Sequence, residues 1–168
     1  MPPAPDMQAP DIPVHDRPAH DSKAAMRTLE DARAARSDPQ AAEKAVLRAL
    51  ELAPQDMDVR LGAYRFYFYN HRYADALTHA QFIVEHAARR LNIPVDWRAA
   101  GPGDSDFTLV ESAPGLYLQA LLAWGYCQVR LGNLQLGREA IAKVVEIDPS
   151  DRFGAQPILK LIDSEDPA

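Results

Sequence analysis

The chain has 168 residues, which is enough for one domain whose core buries roughly 70% of the surface that the unfolded chain exposes. Its 47% hydrophobic and 25% charged residues are ordinary for a soluble globular protein. The net charge is −6 and the 18 basic residues are scattered, which disfavours nucleic-acid binding because that activity needs clustered Lys and Arg.

The N-terminal arm, residues 1–21, carries six prolines with scattered Asp and His. It has no basic start followed by an apolar stretch, so it does not have the pattern of a secretory signal. No apolar run approaches the roughly 20 residues needed to cross a bilayer. We therefore expect a soluble, cytoplasmic protein without a membrane partner, and an arm that is disordered or extended because it can bury very little.

The first helical hairpin is expected over about 23–56. Helical periodicity begins after Asp21-Ser22, since either residue can cap a helix. Ser37-Asp38-Pro39 ends that helix and starts the next, with Pro39 well suited to a first turn. The second helix then carries regularly spaced apolar residues up to Ala53-Pro54.

A second hairpin is expected over about 57–90, with helices from Val59 to Tyr69 and from Tyr73 to Leu91. Residues 65–69 include four aromatics, and a helix spreads consecutive side chains around its circumference. Some of these rings must therefore face a groove or be covered by another segment.

Residues 91–117 form an insert, because prolines and glycines break helical periodicity there. A third hairpin follows over about 118–151 and ends at Asp148-Pro149. The last segment, about 153–164, is expected to be a capping helix with a polar outer face. Its polar residues are Lys160, Asp163, Ser164 and Glu165.

The clearest motif is Trp124-Gly125-Tyr126-Cys127-Gln128-Val129-Arg130-Leu131-Gly132-Asn133-Leu134, followed by Gly137, Ile141 and Pro149. It resembles the tetratricopeptide repeat of bacterial type, whose period is 34 residues. The resemblance covers about 22–151 of a helical domain over 22–166. It implies an all-α solenoid of three hairpins and a capping helix, with Gly125 at a site of close helix packing.

The middle hairpin departs from the repeat pattern at Tyr64, where a small residue is usual, and at Ala88, where proline is usual. A widened or irregular hairpin is therefore expected. In addition, Pro54 and Pro149 are 95 residues apart, which is two periods plus about 27 residues, and this surplus falls in the insert.

Similar repeats bind peptides or protein surfaces along a concave face made by the first helix of each hairpin. The resemblance implies a groove with aromatic anchors flanked by arginines, two residue types enriched at binding hot spots. Its residues would be Arg27, Asp31, Arg65, Phe68, Tyr69, Gln119, Tyr126 and Arg130. The alternative is that the aromatics pack under the insert or against neighbouring helices.

Two further features bear on binding. Some members of this family hold a C-terminal carboxylate in a polar clamp, but Asp31, Gly62 and Ala123 occupy the corresponding positions here, so no such clamp is expected.

In the insert, Trp97 and Arg98 would form a binding anchor if they were exposed. The favoured alternative is that Trp97 pins the insert onto Phe66 or Tyr69.

No metal or cofactor is expected. His79 and His86 are two helical turns apart, roughly 10 Å, and are expected to be solvent-exposed. His15 and His20 lie in the arm, where metal binding would be weak. Cys127, the single cysteine, is expected to be a small core residue.

Catalytic motifs are not evident either, since Gly101-Pro102-Gly103 lacks the Lys-Ser or Lys-Thr of a phosphate loop. Asp104, Asp106 and Glu111 are expected to belong to a solvated loop. The leading hypothesis is therefore a non-enzymatic adaptor or assembly factor that binds a protein or peptide through its concave face and the insert. The alternatives are a self-associating scaffold or subunit, hence a homo-oligomer, and a small enzyme or ligand-binding protein with a pocket beneath the insert.

Overall fold

The computed structural model describes residues 17–35, 37–109 and 113–165, and the regular structure in these ranges is entirely helical. The expectation of an all-α protein is confirmed. The helices are α1 (Arg17–Ala34), α2 (Pro39–Leu52), α3 (Met57–Tyr69), α4 (Tyr73–Leu91), α5 (Ala113–Arg130), α6 (Leu134–Ile147) and α7 (Ala155–Glu165), with a 3₁₀ turn at Trp97–Ala99. None of the helices in the described ranges combines the length and apolar character that a bilayer-spanning segment needs.

Side-chain caps explain two of the helix starts. The Asp38 carboxylate accepts hydrogen bonds from the backbone N–H groups of Gln40 and Ala41, so α2 begins where the Asp-Pro pair predicts. Asp56 likewise accepts from Asp58 and Val59 at the start of α3. Each cap satisfies N–H groups that have no partner within the helix.

Helices that are consecutive along the chain pack against each other: α1 with α2, α3 with α4, α4 with α5, and α5 with α6. One apolar cluster joins α1 through α4 and includes Cys127 of α5, and a second joins α4 to α7 together with the insert. Tyr64 and Leu77 pack against both clusters, so the two cores are continuous.

Four helix starts differ from those expected. Helix α3 begins at Met57 instead of Val59. Helix α1 begins at Arg17, not after Ser22, and the Ser22 hydroxyl donates instead to the Asp56 carboxylate at 2.7 Å. Helix α5 begins at Ala113, which shortens the insert to residues 92–112, and α7 begins at Ala155. The expectation of disorder over residues 1–16 lies outside the described residues.

The insert is packed onto the helices through buried apolar side chains, including Ile93, Trp97 and Phe107. Two cations also bind its backbone carbonyls. Lys143 of α6 donates to the Ala100 oxygen at 3.0 Å, and the Arg152 guanidinium donates to the carbonyl oxygens of Phe107 and Thr108. Apolar packing and hydrogen bonds from two cations therefore hold the insert against the helices.

Candidate functional site

A groove of about 630 Å³ lies between α3 and α5. Ala80 and Ile83 of α4 contribute to its lining, and Phe153 and Ile158 extend it at the C-terminal end of the chain. Two arginines, Arg65 and Arg130, lie among mostly apolar and aromatic side chains. We call this feature the aromatic groove; its aromatic residues are Tyr64, Phe68, Tyr69, Tyr73, Tyr126 and Phe153.

Six of the eight residues that the resemblance assigned to a concave face line this groove: Arg65, Phe68, Tyr69, Gln119, Tyr126 and Arg130. The other two, Arg27 and Asp31, are exposed on α1 and do not line it. The structure thus brings together the assigned residues of α3 and α5 and leaves those of α1 apart.

One end of the groove is built around Arg130. Its guanidinium donates to the Tyr126 hydroxyl at 2.9 Å and lies over the Tyr73 ring, 4.7 Å from the ring centroid. Phe68 contacts both tyrosines, with centroid separations of 5.7 Å to Tyr126 and 5.9 Å to Tyr73. These edge-on and tilted ring contacts hold the arginine and the aromatics in a preformed arrangement.

The four consecutive aromatics of α3 face different surroundings, as helical geometry requires. Tyr67 is buried, with its ring under the Arg72 guanidinium at 4.8 Å. Phe68 is half-buried and lines the groove. Tyr69 is 76% exposed at the groove's edge, which is unusual for a ring of this size.

The charge of the groove differs in sign from that of the chain. Among the described residues that line it, the fully charged side chains are Arg65 and Arg130, and no carboxylate is present. The chain as a whole has a net charge of −6. Acidic groups would therefore be attracted to this part of the surface.

The expected pinning of Trp97 onto Phe66 or Tyr69 is wrong. Trp97 is buried against Trp124 of α5, with ring centroids 5.7 Å apart, and Arg98 lies over its ring at 4.4 Å. Arg98 also approaches Glu139 of α6 at 3.8 Å. The two rings border a smaller cavity of about 430 Å³, and no described residue of the insert lines the aromatic groove.

The expectation that His79 is solvent-exposed is also wrong, since it is only 7% exposed. Its ring stacks on Tyr67, and Arg60 Nη1 lies 3.3 Å from its Nδ1, which must accept because an arginine only donates. Burial, with a smaller contribution from the Arg60 charge, lowers the pKa of His79 to about 4. His86 is half-buried beside Phe82.

No group of three or more potential metal-ligating side chains converges within the described ranges. Cys127 is fully buried, as expected, and burial raises the pKa of its thiol to about 11. Its environment is that of a core residue and not of a reactive thiol.

Sequence reasoning missed several groove residues, among them Leu61, Tyr73, Leu116, Phe153 and Ile158. The last two belong to the segment expected only to cap the fold. The spacing of Ile158, Leu161 and Ile162 in α7 indicates one apolar face, but it does not show that this face reaches the groove.

No protein-family model matches the chain. No solved structure matches it either. The chain is 40% identical, over 124 residues, to the "Uncharacterized 19.8 kDa protein in nifW 5'region" of Azotobacter chroococcum mcd 1, a match that covers 72% of this chain and 69% of that protein. The chain belongs to the same family as this protein.

Proposed function

We propose that the protein is a non-enzymatic interaction module of the cytoplasm that binds a protein or peptide segment in the aromatic groove. The observation that carries this proposal is a preformed groove in which aromatic rings and two arginines converge on the surface. Aromatic and arginine side chains are the types that most often dominate binding energy at protein interfaces.

The helix arrangement supports the assignment to a tetratricopeptide-like solenoid of three hairpins plus a capping helix. Helices pair consecutively along the chain, and Gly125 and Gly137 allow close approach of α5 and α6, as this repeat would require. In such a solenoid the first helix of each hairpin lines the concave face. The lining of the aromatic groove by α3 and α5 supports this arrangement.

Rigidity would favour binding in this groove. The Arg130, Tyr126, Tyr73 and Phe68 side chains are already held against one another, so a ligand would not have to order them. The insert, bound to α6 and to Arg152, would hold α5 in place without occupying the groove.

The proposal is tested by affinity capture with the full chain, followed by calorimetry with the purified partner. The gene of the A. chroococcum relative is placed by its name in the nifW 5' region, so the nifW product is the first candidate partner. We expect Tyr69→Ala and Arg130→Ala to weaken binding about tenfold or more. Both residues are exposed, so the variants should stay folded.

The matched control is Arg48→Ala, which removes an exposed arginine of α2 that does not line the groove. It should bind like the wild type. Undiminished binding by folded Tyr69→Ala and Arg130→Ala chains would overturn the assignment of the groove as the binding surface.

A further inference from the structure

We propose that the aromatic groove is also a docking site for the chain's own N-terminal segment, residues 1–16. These residues lie outside the described part of the structure, and their chemistry complements the groove. The segment would occupy the surface that the proposed function gives to a partner, so that a partner would have to displace it.

Composition is the first argument. Residues 1–16 contain five prolines, together with Met7, Ile12 and Val14, and they include no Lys or Arg. Proline-rich segments favour the extended polyproline II helix, which loses little conformational entropy on binding and is recognised by aromatic-lined grooves. The groove offers six aromatic rings, among them the highly exposed Tyr69.

Charge is the second argument. Asp6, Asp11 and Asp16 make the segment acidic, whereas the fully charged groove residues are Arg65 and Arg130. The Arg130 guanidinium has donated one N–H to the Tyr126 hydroxyl and has further N–H groups with which to bind a carboxylate. Opposite charges would therefore orient the segment along the groove.

Reach is the third argument. Ser22 of α1 is hydrogen-bonded to Asp56, the residue that caps α3, so the start of α1 lies beside the N-terminal end of α3. From Ser22 to Arg17 the helix rises only about 7.5 Å. Sixteen residues of polyproline II span about 50 Å. Helix α3, with 13 residues, is about 20 Å long, so the segment can run the length of the groove in the same molecule.

A spin label tests the proposal in the full chain. A nitroxide attached to Gln8→Cys should cause loss of the NMR amide signals of Arg65, Tyr69 and Tyr126, which line the groove. Signals of Arg48 and Glu139, which are exposed on α2 and α6, should persist. Cys127 is fully buried, so the reagent modifies the introduced cysteine. Equal attenuation of both sets of signals would overturn the proposal.

Two further samples sharpen the test. The matched variant Asp6→Asn, Asp11→Asn, Asp16→Asn, labelled at the same cysteine, should recover much of the lost groove signal at low salt; unchanged loss would contradict the role of charge. A mixture of spin-labelled chains with separate isotope-labelled chains should show no groove-specific loss. If it did, the occupant would be the segment of a second copy, and docking within one molecule would be wrong.

The outcome is separable from that of the proposed function. If the spin label attenuates the groove signals but Tyr69→Ala and Arg130→Ala retain partner binding, the partner binds elsewhere and only the proposed partner site is wrong. If those variants lose the partner while the label shows no preference for the groove, only the docking of the N-terminal segment fails.

Discussion

Gly137 of α6 packs directly against the backbone of α5 at Gly125. A Cβ at Gly137 would lie 2.6 Å from the Gly125 carbonyl oxygen and 2.8 Å from the Val129 backbone nitrogen. Backbone atoms cannot rotate away as a side chain can, so any larger residue must push the two helices apart.

Gly137→Ala should therefore lower the free energy of unfolding, by up to about 2 kcal/mol. Alanine gains roughly 1 kcal/mol of helix propensity, but overpacking at a close contact typically costs about 1 to 3 kcal/mol and also strains the neighbouring contacts. Urea denaturation followed by circular dichroism measures the difference. Gly103→Ala is the control, because a Cβ there meets nothing within 4 Å, and stability should change little. An alanine at 137 that stabilises the protein would contradict this packing.

The buried ring of His79 should make stability depend on pH. Its folded-state pKa of about 4 lies below the ordinary value of 6.5, because burial and the nearby Arg60 charge outweigh the favourable charge of Asp75. Between pH 6.5 and 4 the unfolded chain takes up a proton that the folded chain does not bind. The stability that the neutral His79 ring provides is therefore fully present above pH 6.5 and is lost as the pH falls to about 4. Over this range the free energy of unfolding should fall by about 1 to 2 kcal/mol once solvent screening is included.

The variant that checks this prediction is His79→Phe, which keeps a ring against Tyr67 and removes the titrating group. Denaturation at a series of pH values should show a shallower fall in stability between pH 6.5 and 4 than in the wild type. An NMR titration of His79 in the wild type gives its pKa directly. Equal slopes for the two proteins would show that other groups cause the acid sensitivity.

Arg152 should hold the insert in place. Its guanidinium donates to the Phe107 and Thr108 carbonyl oxygens, and a hydrogen bond to a charged group contributes about 1.5 to 3 kcal/mol. Arg152→Ala is expected to lower stability by about 1 to 3 kcal/mol and to increase amide hydrogen exchange over residues 93–109. Mass spectrometry of exchanged peptides makes that measurement.

The control for this change is Arg48→Ala, which breaks an exposed ion pair with Glu51 and should cost less than about 1 kcal/mol. Exchange in the insert should then match the wild type. If Arg152→Ala loses stability while exchange over 93–109 is unchanged, the Arg152 side chain acts through the α6–α7 turn, where its guanidinium lies 4.0 Å from the Asp148 carboxylate.

Cys127 should react with thiol reagents only when the chain unfolds. It is fully buried, and a pKa of about 11 leaves about one thiol in a thousand ionised at pH 8. Ellman's reagent should therefore modify the native protein far more slowly than the protein in denaturant. A cysteine placed at exposed Gln119, on the same helix, should react rapidly. Comparable rates at the two positions would mean that α5 opens readily.

Local sequence patterns predicted most of the helices of this fold. The Asp38-Pro39 pair starts α2, and Gly125, which was expected at a site of close helix packing, meets α6. Capping and helical periodicity depend on residues within a few positions of each other, so one sequence is enough to read them. Six of the eight residues that the family resemblance assigned to a concave face also lie together at the groove.

Contacts between residues far apart in the sequence depend on how distant parts of the chain pack together, and only the tertiary structure shows them. Trp97 meets Trp124 instead of an aromatic of α3, and His79 is enclosed by Tyr67 and Arg60. Phe153 and Ile158 reach a groove formed mainly by α3 and α5. Periodicity shows which face of a helix is apolar, but not which other helix covers it. That choice depends on the relative positions of α4, α5 and α7, which are set by the shapes of many side chains together.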